Sequence, residues 1–403
     1  MPNAMPDARR TVLGALVVVG LVVVAFLGPR ENCPQDSEKL YRELAAVRDS
    51  VLAYSDGGSL IAATPDGSQR RVLIGMPAEG AHVSPAWSPD GTQIAFIYAP
   101  KCNLRRQRSY RITHSHDGLR LVHSGSDGED GLRSISQAAR TEKPTLGYRC
   151  PVEGIYIMNA DGTEPRLLHA DGNLWNGFGL DWSPDGGSLL YTSDGSLCLC
   201  CPDDPARPPV QLIQGRGGSF GPDLNKAPGF QGHVAYHHVA HGITVLRLEV
   251  PESGSVNVSP HGELFRSAVI DAPSFSPDGR RIAFMRGPRT SMQRDLCVVD
   301  VSLGRDGPVE FGEPRCIIRD RPLRGVISWS PDGRYLTVSM ADKKTGFGRS
   351  IKLYHVDTEG RIAPFHSEDY ARMASTPAWS PAQNRRLVNG WTGAPTRHAQ
   401  LRQ

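Results

Sequence analysis

The sequence predicts an all-β protein: a six-bladed β-propeller preceded by one transmembrane helix and a short linker helix. Three observations predict it: a recurring seven-residue phrase, a spacing of about 50 residues between the closest copies, and one long apolar run near the N-terminus. The five copies of the phrase, the last one altered, occupy residues 85–91, 180–186, 273–279, 327–333 and 377–383.

Each intact copy reads aromatic, Ser, Pro, Asp, Gly, and a short apolar run follows it. Proline presets its own φ, and Asp-Gly tolerates the left-handed position that a hairpin needs, so the phrase predicts strand, tight turn, strand. A unit of this size cannot bury both of its faces alone. The copies are therefore expected to stack as blades around an axis.

The spacing of the copies predicts six blades. The gap between residues 183 and 276 is long enough for a hidden copy, and residues 227–236 keep the order apolar, turn, strand, so we interpret them as a degenerate copy. The gap between residues 88 and 183 instead holds a polar insertion, residues 102–150, after which the blade resumes at residue 154.

Ring closure is predicted to use both ends of the propeller sequence. Residues 51–74 look like the outer part of a blade, and its inner strands are expected from residues 377–390. This closure would leave no unprotected sheet edge.

The Trp-Ser-Pro-Asp-Gly turns, together with the Asn-Ala-Asp-Gly-Thr turn at residues 159–163, resemble the repeats of TolB-type (WD40-like, PD40) β-propellers. The resemblance covers residues 51–391 and implies the fold; a fold of this kind carries many functions. Only about 20 residues separate the N-terminal apolar run from the first strand. That leaves no room for the α/β domain of TolB itself, so its role and partners are not transferred.

The apolar run at residues 11–28 is long enough to span a bilayer. Arg9 and Arg10 precede it, so the positive-inside rule places the N-terminus in the cytoplasm and the propeller on the extracytoplasmic side, periplasmic or extracellular. The alternative is a cleaved signal peptide, but small residues do not occupy both cleavage positions and Pro29 follows the run directly. The Arg pair matches a twin-arginine signal only in part.

Residues 36–51 predict a short helix that docks against the propeller, because Leu40, Leu44, Val47 and Val51 share one face and Asp36 or Ser37 supplies an N-cap. The predicted organisation is a cytoplasmic N-terminus (1–10), an anchor (11–28), a linker helix (29–50), the propeller (51–391, with the insertion 102–150) and a C-terminal tail (392–403).

Eight cysteines agree with an oxidising compartment. Cys102 and Cys150 bracket the insertion, while Cys297 and Cys316 fall on strands expected to be antiparallel neighbours, so both pairs are candidate disulfides. The alternative is buried free thiols, since connectivity cannot be deduced from sequence.

The sequence contains no His-Glu-x-x-His motif. Many PD40-type propellers precede a peptidase domain, but the chain ends about 20 residues after its last copy, so we expect no hydrolase domain. We predict no catalytic residues, no cofactor and no metal site.

Two clusters of cysteine or histidine residues are candidate metal sites. Cys198, Cys200 and Cys201 are closely spaced but have no second Cys pair or His at a zinc-like interval, which favours structural or disulfide use. Four histidines crowd the degenerate blade, and two of them would share a strand face, but no carboxylate or Gln pattern accompanies them. Ordinary polar histidines are therefore favoured over metal ligands: His233, His237, His238 and His241.

The repeated aspartates of the phrase, Asp90, Asp185, Asp278 and Asp332, lie in separate blades, so turn formation explains them better than calcium binding. The aromatic residues of the phrase are expected to pack between neighbouring blades: Trp87, Trp182, Phe275, Trp329 and Trp379.

One end of the propeller is predicted to be basic. With strands named A to D from the axis outward, the Ser-Pro-Asp-Gly turns join A to B, and three long B-to-C loops lie at the opposite end. We hypothesise that these loops bind an acidic partner; the alternative is a solvated charged rim. The candidate binding residues are Arg105, Arg106, Arg108, Arg111, Arg289, Arg294, Lys343 and Lys344.

A net charge of +3 is too small to indicate nucleic acid as a partner. The sequence thus favours a membrane-anchored extracytoplasmic propeller that acts as a protein interaction or scaffold module. The alternative is an enzyme, or a binder of a small ligand such as a carbohydrate, that uses the axial channel; stoichiometric transition metal in the purified protein would favour it.

Overall fold

The computed structural model describes the propeller and part of its insertion. The described residues are 50–65, 69–77, 80–100, 110–115, 118–123, 133–134, 152–172, 174, 179–213, 222–228, 232–238, 242–249, 256–264, 269–287, 293–303, 308–341, 349–356, 362–363 and 375–381. Within these ranges no helix has the length and apolar character needed to cross a membrane. The predicted anchor and most of the linker helix lie outside them.

The first three blades are four-stranded antiparallel sheets. From the axis outward, blade 1 contains β28 (Ser375–Trp379), β1 (Leu52–Asp56), β2 (Ser59–Ala63) and β3 (Arg70–Ile74). Blade 2 contains β4 (Gly80–Trp87), β5 (Gln93–Pro100), β9 (Gly154–Asn159) and β10 (Arg166–Ala170). Blade 3 contains β11 (Leu180–Trp182), β12 (Leu189–Ser193), β13 (Ser196–Cys200) and β14 (Val210–Ile213).

Three further blades complete the ring, so the six-bladed prediction is confirmed. Blade 4 contains β15 (Asp223–Leu224), β16 (His233–His238), β17 (Gly242–Glu249) and β18 (Asn257–Leu264). Blade 5 contains β19 (Val269–Phe275), β20 (Arg281–Gly287) and β21 (Arg294–Ser302), and both β22 (Glu310–Phe311) and β23 (Arg315–Arg321) pair with β21. Blade 6 contains β24 (Leu323–Trp329), β25 (Tyr335–Ala341), β26 (Arg349–His355) and β27 (Ile362–Ala363).

Blade 1 closes the ring, because its inner strand β28 pairs with β1 with Leu52 opposite Trp379. The residues just before β1 take part in this closure: the Val51 N–H donates to Ser380 Oγ (2.8 Å) and the Ser380 N–H donates to the Val51 oxygen (2.7 Å). Val51 belongs to the propeller, as the assignment of residues 51–74 to a blade predicts, and not to the apolar face of the linker helix. The described inner part of blade 1 is the single strand β28, which starts two residues earlier than predicted.

The degenerate copy of the phrase lies a few residues upstream of its predicted position. The Asn225 N–H donates to the His233 oxygen (2.9 Å), as the Ser88 N–H does to the Gln93 oxygen (3.0 Å) in blade 2. Asn225 therefore occupies the serine position of the phrase. The copy is residues 222–228, with Leu224 at the aromatic position and Lys226 at the proline position.

The A-to-B turns share one hydrogen-bonding pattern. In the turn of blade 2, Ser88 Oγ donates to Asp90 Oδ1 (2.6 Å) and accepts the Gln93 N–H (2.9 Å). Gly91 has a φ of 69°, a left-handed value that glycine adopts without strain. The turn that follows Trp182 repeats these bonds, as do the turns of blades 5 and 6.

The same bonds explain the ionisation of the turn aspartates. Hydrogen bonds from Ser88 and Ser183 lower the pKa values of Asp90 and Asp185. Burial acts in the opposite direction on Asp278, but the hydrogen bonds it accepts outweigh burial and its pKa is also lowered. Each carboxylate is thus committed to its own turn.

The core consists of apolar clusters between neighbouring blades, as the aromatic positions predicted. Trp182 and Leu180 of blade 3 pack with Ile97 and Ile155 of blade 2 in one such cluster. Clusters also join blades 1 and 2, 3 and 4, 4 and 5, and 5 and 6.

The insertion between β5 and β9 contains β6 (Tyr110–Ser115), β7 (Gly118–His123) and β8 (Arg133–Ser134), which form a separate three-stranded sheet. β6 and β7 form an antiparallel hairpin, with Tyr110 opposite His123.

Candidate functional site

The inner strands of the six blades surround a channel of about 410 Å³ at the end of the propeller that carries the A-to-B turns. Its described lining contains nine prolines. Five of them occupy the proline position of the phrase and form what we call the proline collar: Pro89, Pro184, Pro277, Pro331 and Pro381. The sixth position of the collar, in blade 4, is Lys226.

The residue before the aromatic position of the phrase lines the channel in every blade. In order around the ring from blade 1 to blade 6, these residues are Ala378, Ala86, Asp181, Asp223, Ser274 and Ser328. The charged residues of the described lining are Asp181, Asp223 and Lys226, and all three lie in the neighbouring blades 3 and 4. We call them the carboxylate–lysine cluster.

Asp181 of blade 3 faces blade 4, and both oxygens of its carboxylate accept hydrogen bonds. Its Oδ1 accepts a hydrogen bond from Lys226 Nζ (2.6 Å) and one from the Trp182 N–H (3.0 Å). Its Oδ2 accepts the N–H of Leu224 in blade 4 (2.7 Å). The side chain is 8 % exposed, and its charge is balanced by one ammonium and two backbone donors.

Asp223 repeats this arrangement one blade further on, where its Oδ2 accepts the N–H of Phe275 in blade 5 (2.6 Å). It lacks an ammonium of its own. Burial, and then the neighbouring charge of Asp181, raise its pKa to about 8, although Lys226 and the Phe275 N–H act in the opposite direction.

The side chain of Lys226 is 47 % exposed, and its exposed part lines the channel. Burial lowers the pKa of its ammonium, but the charges of Asp181 and Asp223 outweigh burial, so the pKa is raised. Lys226 therefore stays protonated at physiological pH.

Each of the two carboxylates faces a neighbouring blade whose copy of the phrase has no tryptophan. Indole N–H groups join neighbouring blades elsewhere: Trp87 donates to the Ala378 oxygen (3.2 Å) and Trp329 to the Ser274 oxygen (2.9 Å). Blades 4 and 5 carry Leu224 and Phe275 at this position, and neither side chain has a donor. There the carboxylates of the preceding blades bind the backbone N–H instead, so both Asp residues also have a structural role.

The channel wall includes strained backbone. Ser84, Ala272 and Thr376, each three residues before an aromatic position, have φ values of 51–52°. The register of β4 and of β19 shifts at these points, as in a β-bulge. Non-glycine residues seldom adopt such values, and they persist only where surrounding structure enforces them. The Ser84 N–H, for example, donates to Thr376 Oγ1 (3.0 Å) across blades 1 and 2.

Most of the predicted basic residues lie outside the described residues: Arg105, Arg106, Arg108, Arg289, Lys343 and Lys344. Only the backbone of Arg111 is described, in β6. Arg294 begins β21, and its guanidinium donates to the Gln293 oxygen (3.0 Å). The described residues therefore do not bring the predicted acidic-partner surface together.

Cys297 and Cys316 lie opposite each other on β21 and β23 and are joined by a disulfide. Cys102 and Cys150 lie outside the described residues. Cys198, Cys200 and Cys201 are free thiols. Burial raises the pKa of Cys198 to about 11 and that of Cys200 to about 12, which makes both thiols poor nucleophiles and poor metal ligands.

The described histidines of blade 4 are not on the inner strand β15. His233 and His237 lie on β16, the second strand from the axis, and both are buried. Four residues of strand separate them by about 13 Å, too far for a shared metal ion. The side chains of His238 and His241 are outside the described set. Among the described residues, the one metal-like grouping is Asp295 with the disulfide-bonded Cys297 and Cys316, whose sulfurs are not free to bind an ion.

Sequence reasoning missed the carboxylate–lysine cluster. Asp181 lies within a copy of the repeated phrase, and Lys226 lies just before residues 227–236, the predicted degenerate copy, so neither residue is singled out by the sequence. The available signal was position within the repeat: a carboxylate where other copies have Ala or Ser, and a lysine where they have proline.

No family model matches the chain. Among solved structures, TolB from Acinetobacter baumannii is 15 % identical over 85 % of this chain and 70 % of that one, with a TM-score of 0.53. Periplasmic gluconolactonase from Pseudomonas aeruginosa is 14 % identical (83 % and 99 % covered, TM-score 0.44), and oligogalacturonate lyase from Vibrio parahaemolyticus is 11 % identical (80 % and 81 % covered, TM-score 0.39). The resemblance to TolB-type propellers is confirmed at the level of the fold. These identities establish no activity.

Proposed function

We propose that this protein is an extracytoplasmic binding module whose axial channel receives a segment of a partner protein. The observation that carries the proposal is the composition of the channel: an apolar proline collar to which five blades contribute, interrupted in blade 4 by the carboxylate–lysine cluster. Binding sites typically combine an apolar lining with a few well-placed polar groups that fix orientation. The cluster supplies such an orienting point.

The chemistry of the lining favours binding over catalysis. The described lining includes neither histidine nor cysteine, the side chains that most often serve as base or nucleophile. Asp181 is held by three donors, which suits a fixed structural charge.

The extracytoplasmic location is supported by two features. One is the apolar run at residues 11–28, which we propose anchors the protein in the membrane with the propeller outside. The other is the disulfide between Cys297 and Cys316, a bond that persists in oxidising compartments. The basic B-to-C loops at the opposite end remain a proposed second surface for an acidic partner.

A photocrosslinking experiment tests the channel proposal. A photoreactive phenylalanine analogue would replace Pro277 or Pro331 of the collar in the full chain, expressed in its native cell envelope. The matched control replaces Pro205, an exposed proline in the loop between β13 and β14. We expect one partner to be crosslinked from both collar positions and not from Pro205. The proposal fails if the collar positions yield no product or the same products as Pro205.

A second candidate, catalysis or small-ligand binding in the same channel, is favoured by one observation. Asp223 lines a cavity and has a raised pKa, which is a property of many general acids. Turnover of a carbohydrate substrate by the wild-type protein and its loss in Asp223→Asn would support this candidate. Stoichiometric transition metal in the purified protein would support it as well.

A further inference from the structure

The channel contains more carboxyl groups than ammonium groups. Two carboxylates, Asp181 and Asp223, share one ammonium, Lys226, and every other residue of the described lining is uncharged. Lys226 is bound to Asp181 at 2.6 Å. Asp223 accepts its hydrogen bond at Oδ2, and no described residue donates to its Oδ1.

A second polar group of the lining also lacks a partner. Ser84 is 3 % exposed and lines the channel, and its hydroxyl has no hydrogen-bond partner among the described residues. Unsatisfied buried polar groups are uncommon in folded proteins and point to a missing ligand or water.

We propose that Asp223 binds the ammonium group of a lysine side chain that the partner segment inserts into the channel. This inference rests on the function proposed above and names the chemistry of the inserted group. The stem of a lysine has four methylene groups, which can pack against the proline collar while the ammonium reaches the carboxylate.

Other ligand classes fit the geometry less well. A guanidinium binds best to both oxygens of one carboxylate, but Asp223 Oδ2 is already occupied by the Phe275 N–H. A divalent cation needs several oxygen ligands and would lie beside the ammonium of Lys226. An anion would lie beside Asp223, while the one available cation already pairs with Asp181. A lysine ammonium has three N–H donors, and one of them can bind Asp223 Oδ1 while Oδ2 keeps its bond from the Phe275 N–H.

Binding of an ammonium should be linked to proton release. In the free protein Asp223 is largely protonated below pH 8, because burial and Asp181 oppose its charge. A bound cation favours the charged carboxylate, so binding expels the proton. Affinity should therefore rise with pH until Asp223 is ionised in the free protein.

Isothermal titration calorimetry of the full chain in detergent tests the proposal with acetyl-Ala-Lys-Ala-amide as the probe. We expect affinity to rise about twentyfold between pH 6.5 and 8.5, and release of about one proton per peptide at pH 6.5, measured by comparing buffers of different ionisation enthalpy. The arginine analogue and the Nζ-acetylated lysine analogue should bind at least about tenfold more weakly. Equal binding of the Nζ-acetylated peptide would overturn the proposal.

Two variants make the test independent of folding defects. Asp223→Asn keeps an oxygen for the Phe275 N–H, and it should weaken binding and abolish the pH dependence. Lys226→Met removes the competing cation and should tighten binding of the lysine peptide about tenfold at pH 8.5. The matched control, Arg166→Met at an exposed position of the outer strand β10, should change nothing.

Weaker binding of the lysine peptide to Lys226→Met would contradict the proposal, because it would show that Lys226 does not compete with the peptide ammonium for the carboxylates. If the collar positions crosslink a partner but the lysine peptide does not bind, the lysine proposal fails and the channel proposal stands. If neither occurs, both fail.

Discussion

Trp182 of blade 3 donates its indole N–H to the backbone oxygen of Ala86 in blade 2, at 3.1 Å. Both residues are buried, with exposures of 2 % and 5 %. The bond joins two blades at the axis, so part of the aromatic preference of the phrase is a preference for an indole donor.

Trp182→Phe should therefore destabilise the propeller while keeping an aromatic ring between the blades. We expect a loss of about 1–2 kcal/mol in the free energy of unfolding, because the buried Ala86 oxygen loses its donor. Urea unfolding followed by fluorescence measures it. Trp329→Phe, which removes the bond to the Ser274 oxygen, should cost a similar amount. Unchanged stability in both variants would show that the indoles act by packing alone.

Asp223→Asn should change how stability depends on pH. The pKa of Asp223 is raised to about 8 in the folded protein, so between about pH 4 and 8 the folded state holds a proton that the unfolded chain releases. This contribution to stability is complete below about pH 4 and is lost as the pH rises through about 8.

The measurement compares the urea midpoints of the wild type and Asp223→Asn at pH 5 and pH 8.5. The wild type should lose more stability over this interval than the variant, in which the group does not titrate. Parallel losses would mean that Asp223 has no raised pKa in the folded protein.

Removal of the disulfide should destabilise blade 5. Cys297 and Cys316 are separated by 19 residues in sequence, and closure of a loop of that size contributes about 3 kcal/mol through the unfolded state. Peptide mapping without reduction should recover the linked pair, and the Cys297→Ala/Cys316→Ala protein should unfold at lower denaturant concentration. Alkylation of both thiols in the unreduced folded protein would refute the bond.

Ser330→Ala tests the hydrogen bonding of the A-to-B turns. Ser330 is fully buried, and its hydroxyl donates to Asp332 and accepts the Tyr335 N–H (2.9 Å). The variant leaves that buried N–H without an acceptor, and we expect a loss of about 1–2 kcal/mol in unfolding free energy. Ser302→Ala, at an exposed position of β21, is the control and should be neutral. Equal effects would mean that the turn does not depend on the hydroxyl.

The features that the sequence predicted are those that short segments specify. Asp90 bonds to its own turn within a few residues of sequence, so the turns and the number of blades follow from the repeated phrase. Ring closure could be predicted because residues 51–74 resemble only the outer part of a blade, while the last copy of the phrase, near residue 377, supplies an inner strand. The disulfide pairing could be proposed because the two strands are neighbours in sequence.

The channel site depends on the assembled ring, and sequence reasoning could not reach it. Asp181 and Lys226 are 45 residues apart and meet only because blades 3 and 4 pack side by side. The copy in blade 4 was misplaced because Asn225 replaces the serine, although its N–H forms the same backbone bond. Leu224 and Lys226 replace the aromatic residue and the proline on either side of it. Burial by the surrounding blades, which sets the ionisation of Asp223, is likewise invisible in the sequence.

The pairing of β28 with β1 also sets the order in which the molecule can be completed. Until residue 379 has been synthesised, blade 1 lacks its inner strand, so β1 has an unpaired edge and the ring cannot close. Such an edge is open to pairing with other chains, so the growing polypeptide is exposed to aggregation for most of its synthesis. The ring therefore reaches its full stability only in a late step, when β28 pairs with β1.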